Sequence, residues 1–203
     1  MGICYILGAG ECNKVDFIKE KNDFVICADG GLEYAEKFGI TPDLVVGDFD
    51  SLGRKPELNQ VIVLPKEKDD TDTHYAIKKG FEKGYTNFVL YGMLGGRIDH
   101  SLANIQLLVY ILNHGGSAVL KGDEFDVTAV KNGKIMLNGN KGNYVSVFSH
   151  TPLSNGVSIH GLKYEVDDFV LFSDNPLGVS NEFTGSDATV EVKDGILIVT
   201  VQK

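Results

Sequence analysis

Four short clusters hold most of the residues able to do chemistry in this chain, and each follows directly on an apolar run. In Val46-Gly47-Asp48-Phe49-Asp50-Ser51 the two carboxylates stand at i and i+2. On an extended chain Asp48 and Asp50 therefore project the same way and can grip one hard cation, although a solvated turn capping the strand is the bland alternative. In Lys68-Asp69-Asp70-Thr71-Asp72 three carboxylates crowd beside one lysine ahead of a helical pattern. Asp70 or Thr71 can serve as a helix cap, and acids suit a first turn. That explains one or two of them; three like charges repel unless a cation or a phosphate organises them.

The third cluster, Gly92-Met93-Leu94-Gly95-Gly96-Arg97-Ile98-Asp99-His100, combines glycines that bare backbone N–H groups, a forked guanidinium and a carboxylate in a first helical turn. Gly95, Gly96 and Arg97 suit phosphate oxygens. His100 reads as a cap or a hydrogen-bond donor, and no proton transfer is assigned to it. The fourth, Ala28-Asp29-Gly30-Gly31, opens a helix, where paired glycines allow close ligand approach and the N-terminus favours anions; an ordinary strand-to-helix turn fits equally. Gly8-Ala9-Gly10 is only a fragment of a dinucleotide fingerprint, and no GxxxxGK[ST] stretch occurs, which excludes a P-loop kinase.

The elements that must position these clusters are legible as alternating patterns. Strands are expected at Ile3–Leu7, Phe24–Ala28, Leu44–Gly47, Val61–Leu64, Phe88–Tyr91 and Ala118–Lys121. Helices are expected at Asn13–Lys19, Leu32–Phe38, Thr73–Lys83 and Ile98–Asn113, the last with an apolar stripe of Leu102, Ile105, Leu108, Val109 and Leu112. This alternation predicts an α/β domain with a mostly parallel, Rossmann-like sheet over residues 1–124, with ligands outside the carboxyl ends of its strands. Beyond Glu124 the helical stripes vanish. Asn132-Gly133, Asn138-Gly139, Asn155-Gly156 and Asp194-Gly195 alternate there with β-prone runs, which predicts hairpins and an all-β sandwich over residues 125–203.

Composition narrows the partners. With 203 residues, 43% of them hydrophobic, the chain can bury its own core or cores, and a net charge of -9 repels nucleic acid. Cys4, Cys12 and Cys27 form no CxxC pair and are expected to be reduced thiols. No apolar run reaches the roughly 20 residues of a membrane helix, and no membrane partner is expected. The expected location is cytoplasmic.

Taken in order, Ala28-Asp29-Gly30-Gly31, Gly47-Asp48-Phe49-Asp50-Ser51, Asp69-Asp70-Thr71-Asp72 and Gly95-Gly96-Arg97-Ile98-Asp99-His100 resemble the thiamine pyrophosphokinase family. The resemblance continues at Gly161-Leu162-Lys163-Tyr164 and Gly178-Val179-Ser180-Asn181-Glu182-Phe183, so it spans nearly the whole chain. It implies an N-terminal domain that binds ATP, a C-terminal sandwich that binds thiamine and dimerises, and a homodimer whose active sites are shared between subunits. Asp48, Asp50 and Asp72 would hold Mg2+. Asp29, Gly30, Gly31, Lys68, Asp69, Gly95, Gly96, Arg97 and His100 would surround ATP. Ser180 and Asn181 would meet thiamine from the partner chain, with Asp72 and Asp99 on the near side. Lys68 stands where some relatives carry glutamine, and the aromatic expected after the Ser-Asn pair occurs only as Phe183.

The implied reaction moves the diphosphate of ATP onto the hydroxyl of thiamine, giving thiamine diphosphate and AMP. Asp48, Asp50 and Asp72 serve the metal in that scheme, Arg97 the transferring group, and Asp72 or Asp99 orients the hydroxyl. An acidic cleft would also attract the thiamine cation. The alternatives are transfer to another hydroxymethyl heterocycle such as a pterin, a non-catalytic nucleotide or thiamine-binding protein, and a metal-dependent phosphohydrolase.

Overall fold

The computed structural model describes residues 2–48, 60–65 and 69–203. Asp50 and Lys68 lie outside the described residues. The chain divides into two compact units, Met1–Asp123 and Glu124–Lys203.

In the first unit the strands are β1 (Cys4–Leu7), β2 (Phe24–Ala28), β3 (Leu44–Gly47), β4 (Val61–Val63), β5 (Asn87–Tyr91) and β6 (Ser117–Lys121). Between them run α1 (Gly31–Lys37), α2 (Asp72–Glu82) and α3 (Ile98–Asn113). The strands pair in the order β6-β5-β1-β2-β3-β4, and every pairing is parallel. A parallel sheet covered on both faces must be apolar on both, and β1 (Cys-Tyr-Ile-Leu) is buried at all its positions. Tyr5 and Leu7 join Val25, Leu32 and Ala35 in the core beneath α1. Phe88 and Cys4 meet α2 on the opposite face so closely that a Cβ on Gly80 would lie 2.5 Å from the Phe88 ring. Burying each such large side chain stabilises the fold by about 1.5–3 kcal/mol.

Strand order reverses beside β1, since the chain proceeds outward through β2, β3 and β4 and then returns to the other side of β1 for β5 and β6. At such a point the connections leave in opposite directions and open a crevice outside the carboxyl ends of the two strands.

Two expectations for this unit are corrected. Residues 13–19 form no helix: Val15 and Phe17 are half-buried while Asp16 and Ile18 are exposed, an alternation of period two. Phe17 lies flat on Tyr5 with ring centroids 3.7 Å apart, and the Tyr91 hydroxyl donates to Asp16 Oδ1 at 2.7 Å. Contact with the sheet therefore overrides the weak local helical pattern. On α3 the buried residues are Leu108, Val109 and Ile111, whereas Leu102 is 56% exposed, so the expected stripe holds only in the C-terminal half of that helix.

The second unit comprises β7 (Phe125–Leu137), β8 (Tyr144–Ser149), β9 (Leu153–His160), β10 (Val166–Phe172), β11 (Asn181–Glu182) and β12 (Ala188–Gln202). All pairings are antiparallel; β12 runs along β7 for its whole length, beside β9 in its first half and β8 in its second. Val157, Ile159, Leu171 and Val190 from one half share a core with Val145, Val147, Leu197 and Val199 from the other. The two halves thus enclose one apolar layer.

Asn138-Gly139 lies in the connection between β7 and β8, and the other three expected pairs lie inside strands. Asn132-Gly133 lies inside β7 and Asp194-Gly195 inside β12, where the register shifts between Val192 and Ile196. Asn132, at φ 45°, accepts the Gly195 N–H on Oδ1 at 2.8 Å. Residues that tolerate positive φ here bend two long strands together instead of reversing either one. Asn155-Gly156 likewise lies within β9.

The three cysteines are free and buried, and burial, with a smaller push from the Asp43 charge, raises the Cys4 thiol to about 12. Among the described residues no helix is long and apolar enough to cross a membrane.

Candidate active site

The crevice between β1 and β5 is a cavity of about 700 Å³. Its walls are built at the carboxyl ends of the strands: Ala9 to Glu11 after β1, Ala28 and Asp29 at the end of β2, Gly92, Met93, Gly95 and Gly96 after β5, and the first turns of α2 and α3. Both helices therefore aim N-terminal N–H groups and the positive ends of their dipoles toward the space, which suits a polyanion.

Side-chain hydrogen bonds fix this edge. The Tyr34 hydroxyl donates to the Gly10 carbonyl at 2.8 Å, and Asn104 Nδ2 donates to the Met93 carbonyl at 2.8 Å. Gly10 N–H donates to the Gly92 carbonyl at 2.7 Å, so the segments after β1 and β5 continue side by side past the ends of their strands. Gly92, Gly95 and Gly96 all have positive φ, a backbone that only glycine adopts without strain.

Of the residues singled out in the sequence, Asp29, Asp72, Gly95, Gly96, Arg97, Asp99 and His100 line the cavity. Arg97 and Asp99 form a forked ion pair, with Arg97 Nε donating to Asp99 Oδ1 at 3.1 Å and Nη2 to Oδ2. Hydrogen bonding from the Arg97 guanidinium holds the Asp99 carboxyl below the usual carboxylate range. Asp29 sits at φ 49°, a conformation an aspartate tolerates but does not prefer, and its N–H donates to the Val46 carbonyl at 2.8 Å.

Others stand apart from the lining. Asp48 follows β3 at the same sheet edge, half-buried. Asp69 is exposed, and Asp70 faces along α2, taking Lys78 Nζ at 2.7 Å and His74 Nδ1 at 2.9 Å. The acidic run is thus divided: Thr71 caps α2 by accepting the His74 N–H at 3.1 Å, and only Asp72 of the carboxylates turns to the cavity. Gly30 and Gly31 are not in the lining, and Gly31 is held there by packing. A Cβ on Gly31 would lie 1.9 Å from the Leu7 carbonyl oxygen, so glycine there lets α1 seat against β1.

Glu11, Tyr34 and Asn104 line the cavity without having been singled out. For Glu11 a signal existed: it is an acid just beyond a strand and a Gly-Ala-Gly turn, where the carboxyl-edge rule places ligands.

In the second unit the two motif segments meet. Leu162 bridges Phe183, Lys163 N–H donates to the Glu182 carbonyl at 2.9 Å, and Asn181 holds Tyr164. Asn181 is buried and spends its amide on backbone groups, while Ser180 is exposed at φ 58° with its N–H on Ser146 Oγ at 3.1 Å.

Two family models match the chain, one described as thiamin pyrophosphokinase, catalytic domain, over residues 15–120, and one as thiamin pyrophosphokinase, vitamin B1 binding domain, over residues 133–197. The chain belongs to the thiamin pyrophosphokinase family. Family membership accounts for the pairing of an α/β unit with a β unit and makes the chain an enzyme. It is 28% identical over 180 residues to the thiamine pyrophosphokinase of Bacillus subtilis, covering 79% of this chain and 78% of that protein. It is 24% identical over 199 residues to thiamin pyrophosphokinase 1 of Caenorhabditis elegans, covering 91% and 82%. The crystal structure of the Bacillus subtilis thiamine pyrophosphokinase superposes with a TM-score of 0.87 at 26% identity, over 100% of this chain and 99% of that one.

Proposed function

We propose that the crevice between β1 and β5 is where the diphosphate of ATP passes to the hydroxyl of thiamine, giving thiamine diphosphate and AMP. One observation carries this reading. The N-termini of α2 and α3, the Gly95-Gly96 turn and the Arg97–Asp99 pair border one cavity of nucleotide size, about 700 Å³.

In the transfer the thiamine oxygen bonds to the β-phosphorus, the bond from that phosphorus to the α–β bridging oxygen breaks, and the hydroxyl proton departs. Charge accumulates on phosphoryl oxygens, and positioned donors lower the barrier. Arg97 supplies a permanent cation, pre-oriented by Asp99. Asp99 is a poor proton acceptor because its pair with Arg97 holds the carboxyl low. Asp72, in the first turn of α2, is the carboxylate assigned to orient the thiamine hydroxyl.

Carboxylates at this edge fit a hard divalent cation, since Asp29, Asp72 and Asp99 bring oxygen donors to one cavity. Magnesium keeps waters and shares its shell with phosphates, so one or two carboxylates at this edge are enough to hold it. Asp48, Asp50 and Asp72 are the residues that would hold it. When bound it would neutralise phosphate charge.

The second unit is assigned to thiamine and to self-association. Tyr164 is 62% exposed, its backbone is gripped by Asn181 and the Lys163 ammonium lies 5.5 Å from its ring, so this aromatic is the side chain assigned to the heterocycle, which would take the place of that ammonium. Ile98, 74% exposed, and Leu102 lie one turn apart on α3, and Phe169, Val170 and Phe172 are exposed on β10. Apolar surface of this kind fits a homodimer in which the partner's second unit closes the cavity.

Incubating the chain with ATP, magnesium and thiamine, followed by mass analysis, is expected to give thiamine diphosphate and AMP. ATP loss without a thiamine product would reject the transfer, and a monomer by light scattering would reject the shared site.

A further inference from the structure

The Gly96 N–H, on the glycine turn that lines the cavity, is occupied by a carboxylate: Glu11 Oε1 accepts it at 3.0 Å. Glu11 lies against the turn so closely that a Cβ on Gly95 would be 2.5 Å from Oε2. A side chain at residue 95 would push the carboxylate out of this position. The backbone beneath the side chain is fixed, since Glu11 N–H donates to the Leu94 carbonyl at 3.0 Å and Gly10 N–H to Gly92. The cation of the same turn, Arg97, is engaged by Asp99. Among the described residues no salt bridge links Glu11 to a lysine or arginine, and its side chain is exposed.

From these contacts we propose that Glu11 is a built-in anion seated on the glycine-turn donor that a nucleotide phosphate takes, so that triphosphate binding displaces its side chain and Glu11 sets the affinity for the polyphosphate. The inference rests on the reading of the cavity as the nucleotide site. A carboxylate and a phosphate oxygen cannot both accept from one N–H along its axis. Two negative groups about 4 Å apart also repel, weakly where water screens them and more strongly in a closed site. A charge-assisted hydrogen bond keeps the turn ordered while it is empty. Because the main chain is pinned, release requires only rotation of an exposed side chain.

The test is calorimetric titration of the wild-type chain, Glu11→Gln and Glu11→Ala with magnesium–ATP, with inorganic tripolyphosphate and with adenosine. Glutamine keeps the shape and an acceptor oxygen but removes the charge. The expected result is tripolyphosphate and magnesium–ATP binding about fivefold tighter or more in both variants, the fold-change of a modest like-charge contact. Adenosine, which carries no charge, should bind all three proteins equally. The Gly96 amide resonance should shift in Glu11→Ala and should move in the wild type on addition of tripolyphosphate. Unchanged or weaker polyphosphate binding in both variants, with thiamine diphosphate still formed, overturns the role of Glu11 alone. If the wild type binds neither magnesium–ATP nor tripolyphosphate, both the site reading and this inference fall.

Discussion

Asp99 takes Arg97 with both carboxylate oxygens, two residues apart in the first turn of α3 and at the mouth of the cavity. A guanidinium held this way presents its remaining N–H groups in a fixed direction, which a lysine cannot imitate. Arg97→Lys should lower kcat about tenfold or more, equivalent to ~1.4 kcal/mol of transition-state stabilisation. Both side chains are largely exposed, so the same variant should leave the urea unfolding midpoint essentially unchanged. Steady-state kinetics beside a denaturation curve separates these effects; full turnover in Arg97→Lys would remove Arg97 from the phosphate site.

Asp72 and Thr71 are neighbours with different tasks. Asp72→Asn should abolish measurable turnover while costing at most about 1 kcal/mol through the helix dipole. Thr71→Ala should cost about 1 kcal/mol of stability, because the His74 N–H loses its cap, and should retain turnover. An active Asp72→Asn enzyme would refute the assignment of that carboxylate.

Asn181 accepts the Tyr164 N–H at 2.9 Å and donates to the Tyr164 carbonyl at 2.7 Å. Asn181→Ala strands these backbone groups and should destabilise the chain by about 1–3 kcal/mol. Because Tyr164 is then released, KM for thiamine should rise at least several-fold with KM for ATP unchanged. Equal rises in both constants would show general damage and no thiamine-side role.

Gly30 and Gly31 look alike in sequence but not in space. Gly31→Ala drives a Cβ to 1.9 Å from the Leu7 carbonyl oxygen and should destabilise by about 1–3 kcal/mol or more. Gly30→Ala, at φ -59° and 3.1 Å from the Ala9 Cβ, should cost less than about 1 kcal/mol. Equal unfolding midpoints would contradict the close approach of α1 to β1.

Burial lowers the His74 imidazole below its ordinary 6.5, opposed by Asp70 and assisted by the Lys78 and His114 charges. Its Nε2 is buried and finds no hydrogen-bond partner among the described residues, as a neutral ring allows. On acidification the unfolded chain therefore takes up this proton before the folded one does, and stability falls as pH drops from about 6.5 toward the lower folded value. His74→Gln should flatten that part of the stability profile in chemical denaturation at stepped pH. An unaltered slope would show that other groups produce it.

The sequence by itself determined the alternating elements of the first unit, the β character of the second and the carboxyl-edge position of the four clusters. Those features are local: apolar period, glycine tolerance and capping chemistry are written within a few residues. Tertiary structure alone decided which cluster members face one another. The strand order that opens a crevice between β1 and β5 depends on pairings across dozens of residues, and no local pattern encodes it. Contact likewise drew Phe17 into an extended path against Tyr5, turned Asn132-Gly133 and Asp194-Gly195 into opposed bends and sent Asp70 to Lys78 while Asp72 faced the cavity. Glu11 belongs to the same class, because its significance arises only where Gly96, 85 residues away, brings an N–H to its carboxylate.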